Sequence, residues 1–95
     1  MNSDLLTFSV PEVQNMVSGL VEIKNMIISA KKDYDEYVAT RLKKQWNTAG
    51  GMNACNKLEE FSNVNIQKYI DSVQTDINNL SEIIPLLTKI NQESI

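Results

Sequence analysis

The sequence predicts an all-α protein, an antiparallel helix-turn-helix hairpin that pairs into a four-helix bundle dimer. Two long stretches carry apolar residues at heptad spacing. Between them lies a short segment with the only tryptophan and two of the three glycines. We expect a single domain over residues 1–95, with a first helix at about 10–46, an elbow at about 47–52 and a second helix at about 53–92.

Composition excludes several classes of protein. Hydrophobic residues make up 42% and charged residues 22%, as in an ordered helical chain. The net charge of -3 provides no basic stripe for nucleic acid, so we expect no nucleic-acid partner. Histidine is absent and Cys55 is the sole cysteine, which removes Cys/His metal clusters and histidine-dependent nucleophiles. We therefore predict a protein that is not an enzyme and has no catalytic residue, metal or cofactor.

The N-terminus and the most apolar window bear on localisation. Met1-Asn2-Ser3-Asp4 is acidic where a secretory signal peptide is basic. The window 16–30 is interrupted by Glu22 and Lys24 and is shorter than the ~20 apolar residues of a membrane span. We expect a soluble chain with no cleavable signal peptide, and a membrane is not its expected partner.

The first helix has a clear start. Ser9 is the predicted N-cap, with Glu12 completing a capping box and Pro11 in the first turn. Gly19, inside the helix, predicts close approach of a neighbouring helix rather than a break. The predicted packing seam runs through Val13, Met16, Leu20, Ile23, Ile27, Ala30, Tyr34 and Tyr37.

A basic cluster closes the first helix. Arg41, Lys43 and Lys44 lie where positive charge complements the dipole at a helix C-terminus. That structural role accounts for all three residues, and a binding patch is the alternative interpretation.

The second helix has two irregular points. Ser62-Asn63-Val64-Asn65 is a run of poor helix formers, which predicts a distortion or short break. Pro85 removes a backbone hydrogen bond and predicts a kink or an end, followed by a frayed tail. The predicted seam runs through Ala54, Leu58, Phe61, Tyr69, Val73, Ile77, Leu80, Ile84, Leu87 and Ile90.

The width of the apolar faces predicts a second chain. Val17, Val21 and Ile28 widen the apolar sector of the first helix to roughly 200°, and Ile66 and Ile70 widen the second similarly. One partner helix covers only about half of such a sector. Two hairpins packed together would cover it, and the partner is a copy of this chain or a different protein. The expected core and dimer seam comprises Leu20, Ile23, Ile27, Tyr34, Leu58, Phe61, Val73, Ile77, Leu80 and Ile84.

With these features, the chain resembles the WXG family of type VII secretion. An acidic chain of about this length with a tryptophan between two helices is typical of that family, and the resemblance covers nearly the whole sequence. It implies a tryptophan that ends the first helix, a turn glycine, and pairing as a homodimer or heterodimer that is exported. Trp46 matches the tryptophan, but Thr48 occupies the glycine position.

The departure at Thr48 changes the predicted turn. Thr48 is β-branched and poorly suited to a positive φ, so we expect Gly50 or Gly51 to supply the left-handed residue that stops the first helix. Asn53 is then the expected cap of the second helix. The family's C-terminal export signal, a tyrosine followed four residues later by an acid, is missing because Val73 stands four residues after Tyr69. A partner would supply it.

Several singled-out residues have a simpler structural interpretation. Trp46 either fills the end of the hairpin or is recognised directly, and the two roles are compatible. Cys55 is expected to be a small packing residue, with an intermolecular disulfide as the alternative. Carboxylates such as Glu59 and Glu60 are adjacent in sequence and splay around a helix, as on a solvated face.

The leading functional hypothesis is a small non-enzymatic protein that is secreted through, or escorts a toxin to, a type VII secretion system. The expected partner is a second copy, another WXG-like helical protein or the helical domain of a toxin, with the secretion ATPase as a further candidate. The expected location is extracellular, with a cytoplasmic pool. The alternatives are a cytosolic accessory chaperone dedicated to one toxin, a membrane-active amphipathic hairpin and an unrelated coiled-coil adaptor. The expected recognition motif comprises Trp46, Thr48, Gly50 and Gly51.

Overall fold

The described chain is entirely helical. A computed structural model describes residues 9–93, and it contains two long helices and no strand over that range. The first helix comprises an α-helical segment Val10–Tyr37, a π-helical segment Val38–Leu42 and a last α-helical turn Lys43–Gln45. The second comprises α-helical Ala49–Glu60, π-helical Phe61–Ile66 and α-helical Gln67–Glu93. The predictions for the acidic N-terminus and for the last two residues lie outside the described range.

The two helices fold back on each other as a hairpin. The long segments Val10–Tyr37 and Gln67–Glu93 pack along each other. The rod measures 73 × 16 × 15 Å and has a radius of gyration of 21.3 Å, whereas a compact domain of this length has about 12 Å. The hairpin prediction is confirmed; the pairing of hairpins into a bundle stays a prediction.

The start of the first helix is as predicted. Ser9 is extended, and its hydroxyl oxygen accepts a hydrogen bond from the Glu12 amide at 3.2 Å. Pro11 lies in the first turn, where its missing amide hydrogen costs nothing. Ser9 therefore satisfies one of the amides that every helix start leaves without an intrahelical partner.

The turn differs from the prediction. The helices are interrupted only at residues 46–48, and the second helix begins at Ala49 rather than near 53. No residue in the described range has a positive φ, so the left-handed glycine predicted at Gly50 or Gly51 is wrong. Both glycines lie in the first turn of the second helix, and Asn53 is not its cap.

The two irregular points of the second helix have different outcomes. The predicted distortion at 62–65 is present as the π-helical segment Phe61–Ile66, which keeps the helix continuous. The predicted end of the helix at Pro85 is wrong, because the helix runs through this exposed residue to Glu93. The alternative, a kink at Pro85, stays a prediction.

Candidate interaction site

The elbow is built on a contact between Trp46 and Gly51. Trp46 leaves helical geometry (φ -124°, ψ 61°) after its amide donates to the Leu42 carbonyl at 2.8 Å. A Cβ atom on Gly51 would lie 2.6 Å from Cγ and 2.7 Å from Cδ1 of Trp46, and closer still to its carbonyl oxygen. Gly51 is buried for this reason, while Trp46 stays 48% exposed. The glycine at this elbow permits close approach rather than an unusual backbone angle.

Thr48 has a role that the sequence analysis missed. Its backbone is extended (φ -79°, ψ 166°), and its hydroxyl oxygen accepts from the Gly51 amide at 3.0 Å. The Met52 amide donates to the Thr48 carbonyl at 2.8 Å. Threonine is a favoured N-cap for this geometry. The sequence feature that could have indicated this cap is the Thr48 hydroxyl, three residues before the amide of Gly51 that it accepts from.

Next to the elbow, small residues bring the helices together. Cys55 and Ser62 are fully buried and Val38 is 1% exposed. Cys55 is thus the small packing residue that was predicted, and its thiol is not accessible for an intermolecular disulfide while the hairpin is closed. Both π-helical segments begin in this region, at Val38 and Phe61.

Polar contacts join the two helices in the same region. The Ser62 hydroxyl donates to Asp35 at 2.5 Å, and Lys31 pairs with the same carboxylate at 2.9 Å. The bond from Ser62, followed by Lys31, holds the pKa of Asp35 below its usual range. The Tyr34 hydroxyl donates to the Leu58 carbonyl at 3.0 Å. The bonds from Ser62 to Asp35 and from Tyr34 to Leu58 cross between the helices, whereas Lys31 and Asp35 pair within the first helix.

Farther along the first helix, half of the predicted seam faces away from the second helix. One heptad position holds Val13, Leu20, Ile27 and Tyr34, which are half-buried. The other holds Met16, Ile23, Ala30 and Tyr37, seven residues apart and all exposed. Ile23 is 47% exposed and Tyr37 51%, so this row is an apolar stripe left open by the hairpin.

The second helix contributes to the same open face. An apolar groove of about 550 Å³ between the helices is lined on one side by Ile27, Ala30 and Tyr34. Its other side includes Phe61 and Tyr69. Phe61 and Tyr69 are eight positions apart, and in an uninterrupted α-helix their side chains would point in directions about 80° apart around the helix axis. The π-helical segment Phe61–Ile66 has more residues per turn than an α-helix. This reduces the angle between Phe61 and Tyr69, and both rings line the same groove.

The opposite side of the hairpin carries more charge. There the groove between the helices is lined by Lys32, Asp35, Glu36 and Gln67 as well as by Ile28 and Ile70. Lys31 lies between the two sides and lines both grooves. The hairpin therefore presents one apolar side, which we call the open face, and one charged side.

The exposed area is larger than that of a compact domain of the same mass. The chain exposes 7087 Å², whereas a compact monomer of 10.8 kDa exposes about 5,500 Å². The excess of about 1,500 Å² is comparable to what each partner buries in an obligate interface.

The predicted seam residues divide between the core and the open face. Val73 and Ile77 are buried, and Leu20, Ile27, Tyr34, Leu58, Leu80 and Ile84 are half-buried. Ile23 and Phe61 lie on the open face. The expected approach of a helix at Gly19 does not occur within the hairpin, because a Cβ there would meet nothing within 4 Å.

The inward row of the first helix was hidden by its charges. Val17, Lys24, Lys31 and Val38 are seven residues apart, and the structure leaves each of them half-buried or buried. Lys24 reaches across the hairpin and donates to Gln74 at 2.6 Å. The heptad spacing of these four residues could have indicated that they face the second helix. Two of the four are lysines, so the row does not resemble an apolar seam.

Over the part of the chain that the structure describes, no acidic, histidine or cysteine side chains cluster as a metal site would require. Neither long helix there has the length and apolarity needed to cross a bilayer. The arrangement is that of a helical hairpin whose features are an elbow and an open apolar face. Comparisons with protein-family models, curated proteins and solved structures found no match.

Proposed function

We propose that this protein is a small non-enzymatic interaction protein whose open face pairs with a second helical hairpin in a four-helix bundle. The observation that carries the proposal is the open face itself, with Met16, Ile23, Ala30 and Tyr37 exposed in register beside an apolar groove. Burying such a face is favourable at about 25 cal/mol per Å². The partner is a second copy, a related helical protein or the helical domain of a toxin.

We further propose that the bundle is exported by, or escorts a toxin to, a type VII secretion system. The resemblance to the WXG family supports this part, and the elbow geometry is compatible with it. Trp46 ends the first helix, as the resemblance implies. Thr48 stands where the family has its turn glycine. In this chain Gly51 is the glycine that packs against the Trp46 indole.

The half-exposed indole is the proposed recognition element. Gly51 holds one part of the ring, and the remainder is accessible to a secretion component or a toxin. A half-exposed tryptophan offers a partner both a large apolar contact area and an N–H donor. Recognition would then depend on Trp46 without the ring being needed for pairing along the open face.

Export from the native host tests the secretion proposal. Trp46→Ala should abolish export or cargo binding while leaving a soluble bundle, and Trp46→Phe keeps a ring on Gly51 if the alanine variant is too unstable. Lys32→Ala, on the charged side, is the matched control. Mass spectrometry of the culture supernatant and of co-eluting proteins measures export and partners together. Normal export of the folded Trp46 variants would contradict the recognition role.

The same experiment separates the accessory-chaperone alternative. A chaperone would remain in the cell, form a stable complex with the helical domain of one toxin, and form no homodimer. That combination would replace the exported-protein proposal while retaining the open face as the binding surface.

A further inference from the structure

The elbow end of the hairpin has an unusual charge. We define the elbow pole as residues 38–58, which include the turn and the adjoining helix ends. This segment holds four of the nine basic residues of the chain and none of its twelve acidic residues. The remaining chain is acidic, and Glu36, Glu59 and Glu60 lie directly beyond the pole. The basic residues of the pole are Arg41, Lys43, Lys44 and Lys57.

Within the described range, three of these cations form no ion pair. Lys43 pairs with Glu59, just beyond the pole, whereas Arg41, Lys44 and Lys57 are exposed and have no acidic partner there. Complementing the dipole of the first helix explains Arg41, Lys43 and Lys44. It does not explain Lys57, which belongs to the second helix.

The pole also carries exposed apolar groups beside a groove. Met52 is 58% exposed and Trp46 48%. A groove of about 310 Å³ is lined by Lys43, Asn47, Met52 and Asn56. Its lining thus combines two carboxamides, one flexible apolar side chain and Lys43, which is already paired with Glu59.

This groove does not belong to the open face. Asn56 lies five residues before Phe61 in the second helix, which places the two side chains about 140° apart around the helix axis. Met52, four residues before Asn56, is on the same side as Asn56. A partner on the open face would leave the groove at the pole accessible, so this second surface stands independently of the bundle.

We propose that the elbow pole docks an acidic segment of a partner protein, with an apolar residue of that segment seated against Met52. Charge complementarity favours an acidic ligand and accelerates its encounter with the pole. The carboxamides of Asn47 and Asn56 both donate and accept, which suits a peptide backbone. Methionine adapts to varied apolar partners.

A protein segment fits the pole better than an anionic lipid surface. The indole of Trp46 is packed on Gly51, so it cannot turn freely to enter a bilayer. The groove is concave and carboxamide-lined, whereas binding to a lipid surface uses an apolar helix face buried at the headgroup level.

Fluorescence anisotropy tests the proposal on the full chain. The probe is a short fluorescein-labelled peptide in which Asp and Glu alternate with Leu, and its control carries Asn and Gln instead. We expect the acidic probe alone to bind, with an affinity that falls as salt rises. Lys44→Glu/Lys57→Glu should weaken binding about tenfold, and Met52→Ser about fivefold.

Lys32→Glu/Lys68→Glu is the matched control, since it makes the same charge change outside the pole, and it should bind the probe within about twofold of the wild type. No binding of the acidic probe, or equal weakening by both double variants, would overturn the proposal. Binding to phosphatidylserine-containing vesicles without binding to the probe would assign the pole to a membrane instead. A changed sedimentation coefficient in Lys44→Glu/Lys57→Glu alone would assign it to self-association, which also contradicts a separate partner.

Discussion

The half of the hairpin next to the elbow and the half beyond it are stabilised differently. Near the elbow, Val38, Gly51, Cys55 and Ser62 are buried by the chain itself. Toward its N-terminal end, the first helix has no buried residue before Val38. In the second helix the buried positions end at Ile77. The chain thus buries residues of both helices near the elbow, whereas in the arms only the second helix has buried positions.

Residue size explains much of the difference. Small residues at Gly51, Cys55 and Ser62 let the two helices approach, and all three are buried. Larger residues in the arms, such as Met16 and Met26, project where the second helix does not reach, at 56% and 70% exposed. Two helices alone cover one stripe of each other, so wide faces remain open.

Polar contacts reinforce the distinction. Near the elbow, Tyr34 and Asp35 bond to the second helix through Leu58 and Ser62. Such directional bonds specify one alignment of the helices, because a shifted alignment leaves a part-buried polar group unpaired. We infer that the elbow half determines the register.

The largest expected effect on the free energy of unfolding comes from a side chain at Gly51, where the elbow is closely packed. Gly51→Ala places a methyl group against the ring and carbonyl of Trp46, and we expect a loss of about 2–3 kcal/mol. Gly50→Ala, one residue away, meets nothing within 4 Å and should gain about 0.5–1 kcal/mol from helix propensity. Urea unfolding followed by circular dichroism measures both. Equal stability of the two variants would mean that the elbow is not closely packed.

A smaller effect is expected from one cross-helix hydrogen bond. Tyr34→Phe removes the donor to the part-buried Leu58 carbonyl, which should cost about 1 kcal/mol and lower Tm by about 4–8 °C. Tyr37→Phe is the control, because Tyr37 lies on the open face and is 51% exposed. Its stability should change by less than about 0.5 kcal/mol. If Tyr37→Phe is the more damaging change, the elbow half does not determine the register.

The smallest expected effect is a pH dependence at Asp35. Because the folded state lowers its pKa, chiefly through Ser62 and then Lys31, its contribution is present above the usual carboxyl range and disappears as pH falls through the lowered value. With 37% of the side chain exposed, solvent screening keeps this below about 1 kcal/mol. Asp35→Asn should flatten the acid limb of a stability-against-pH curve. The exposed Asp33→Asn control should not, and identical curves for both would remove the effect.

The sequence predicted the parts of the fold that depend on local signals. The Ser9 cap, the hairpin and the distortion near Ser62 follow from side-chain chemistry and apolar spacing. The predicted turn was wrong because Thr48 does not need the positive φ of a glycine. It is extended and caps the second helix. The helix does not end at Pro85, because tertiary context overrides the low helix propensity of a single residue.

The interaction site was less predictable. Heptad spacing identified Ile23 and Phe61 as apolar contact positions but did not show that they face outward, since both rows of a heptad look alike in sequence. The inward row was concealed by Lys24 and Lys31. The close approach of Gly51 to Trp46 depends on the path of the turn, which no local pattern specifies.

Sedimentation velocity of the full chain across a wide concentration range tests the central claim most directly. We predict a folded particle with the mass of two chains, or a one-to-one complex with a co-purifying helical protein. Ile23→Asp, on the open face, should dissociate it, whereas Lys32→Asp, on the charged side, should not. A stable, fully helical particle with the mass of one chain at every concentration, and no bound partner, would contradict the claim that the hairpin is half of a bundle.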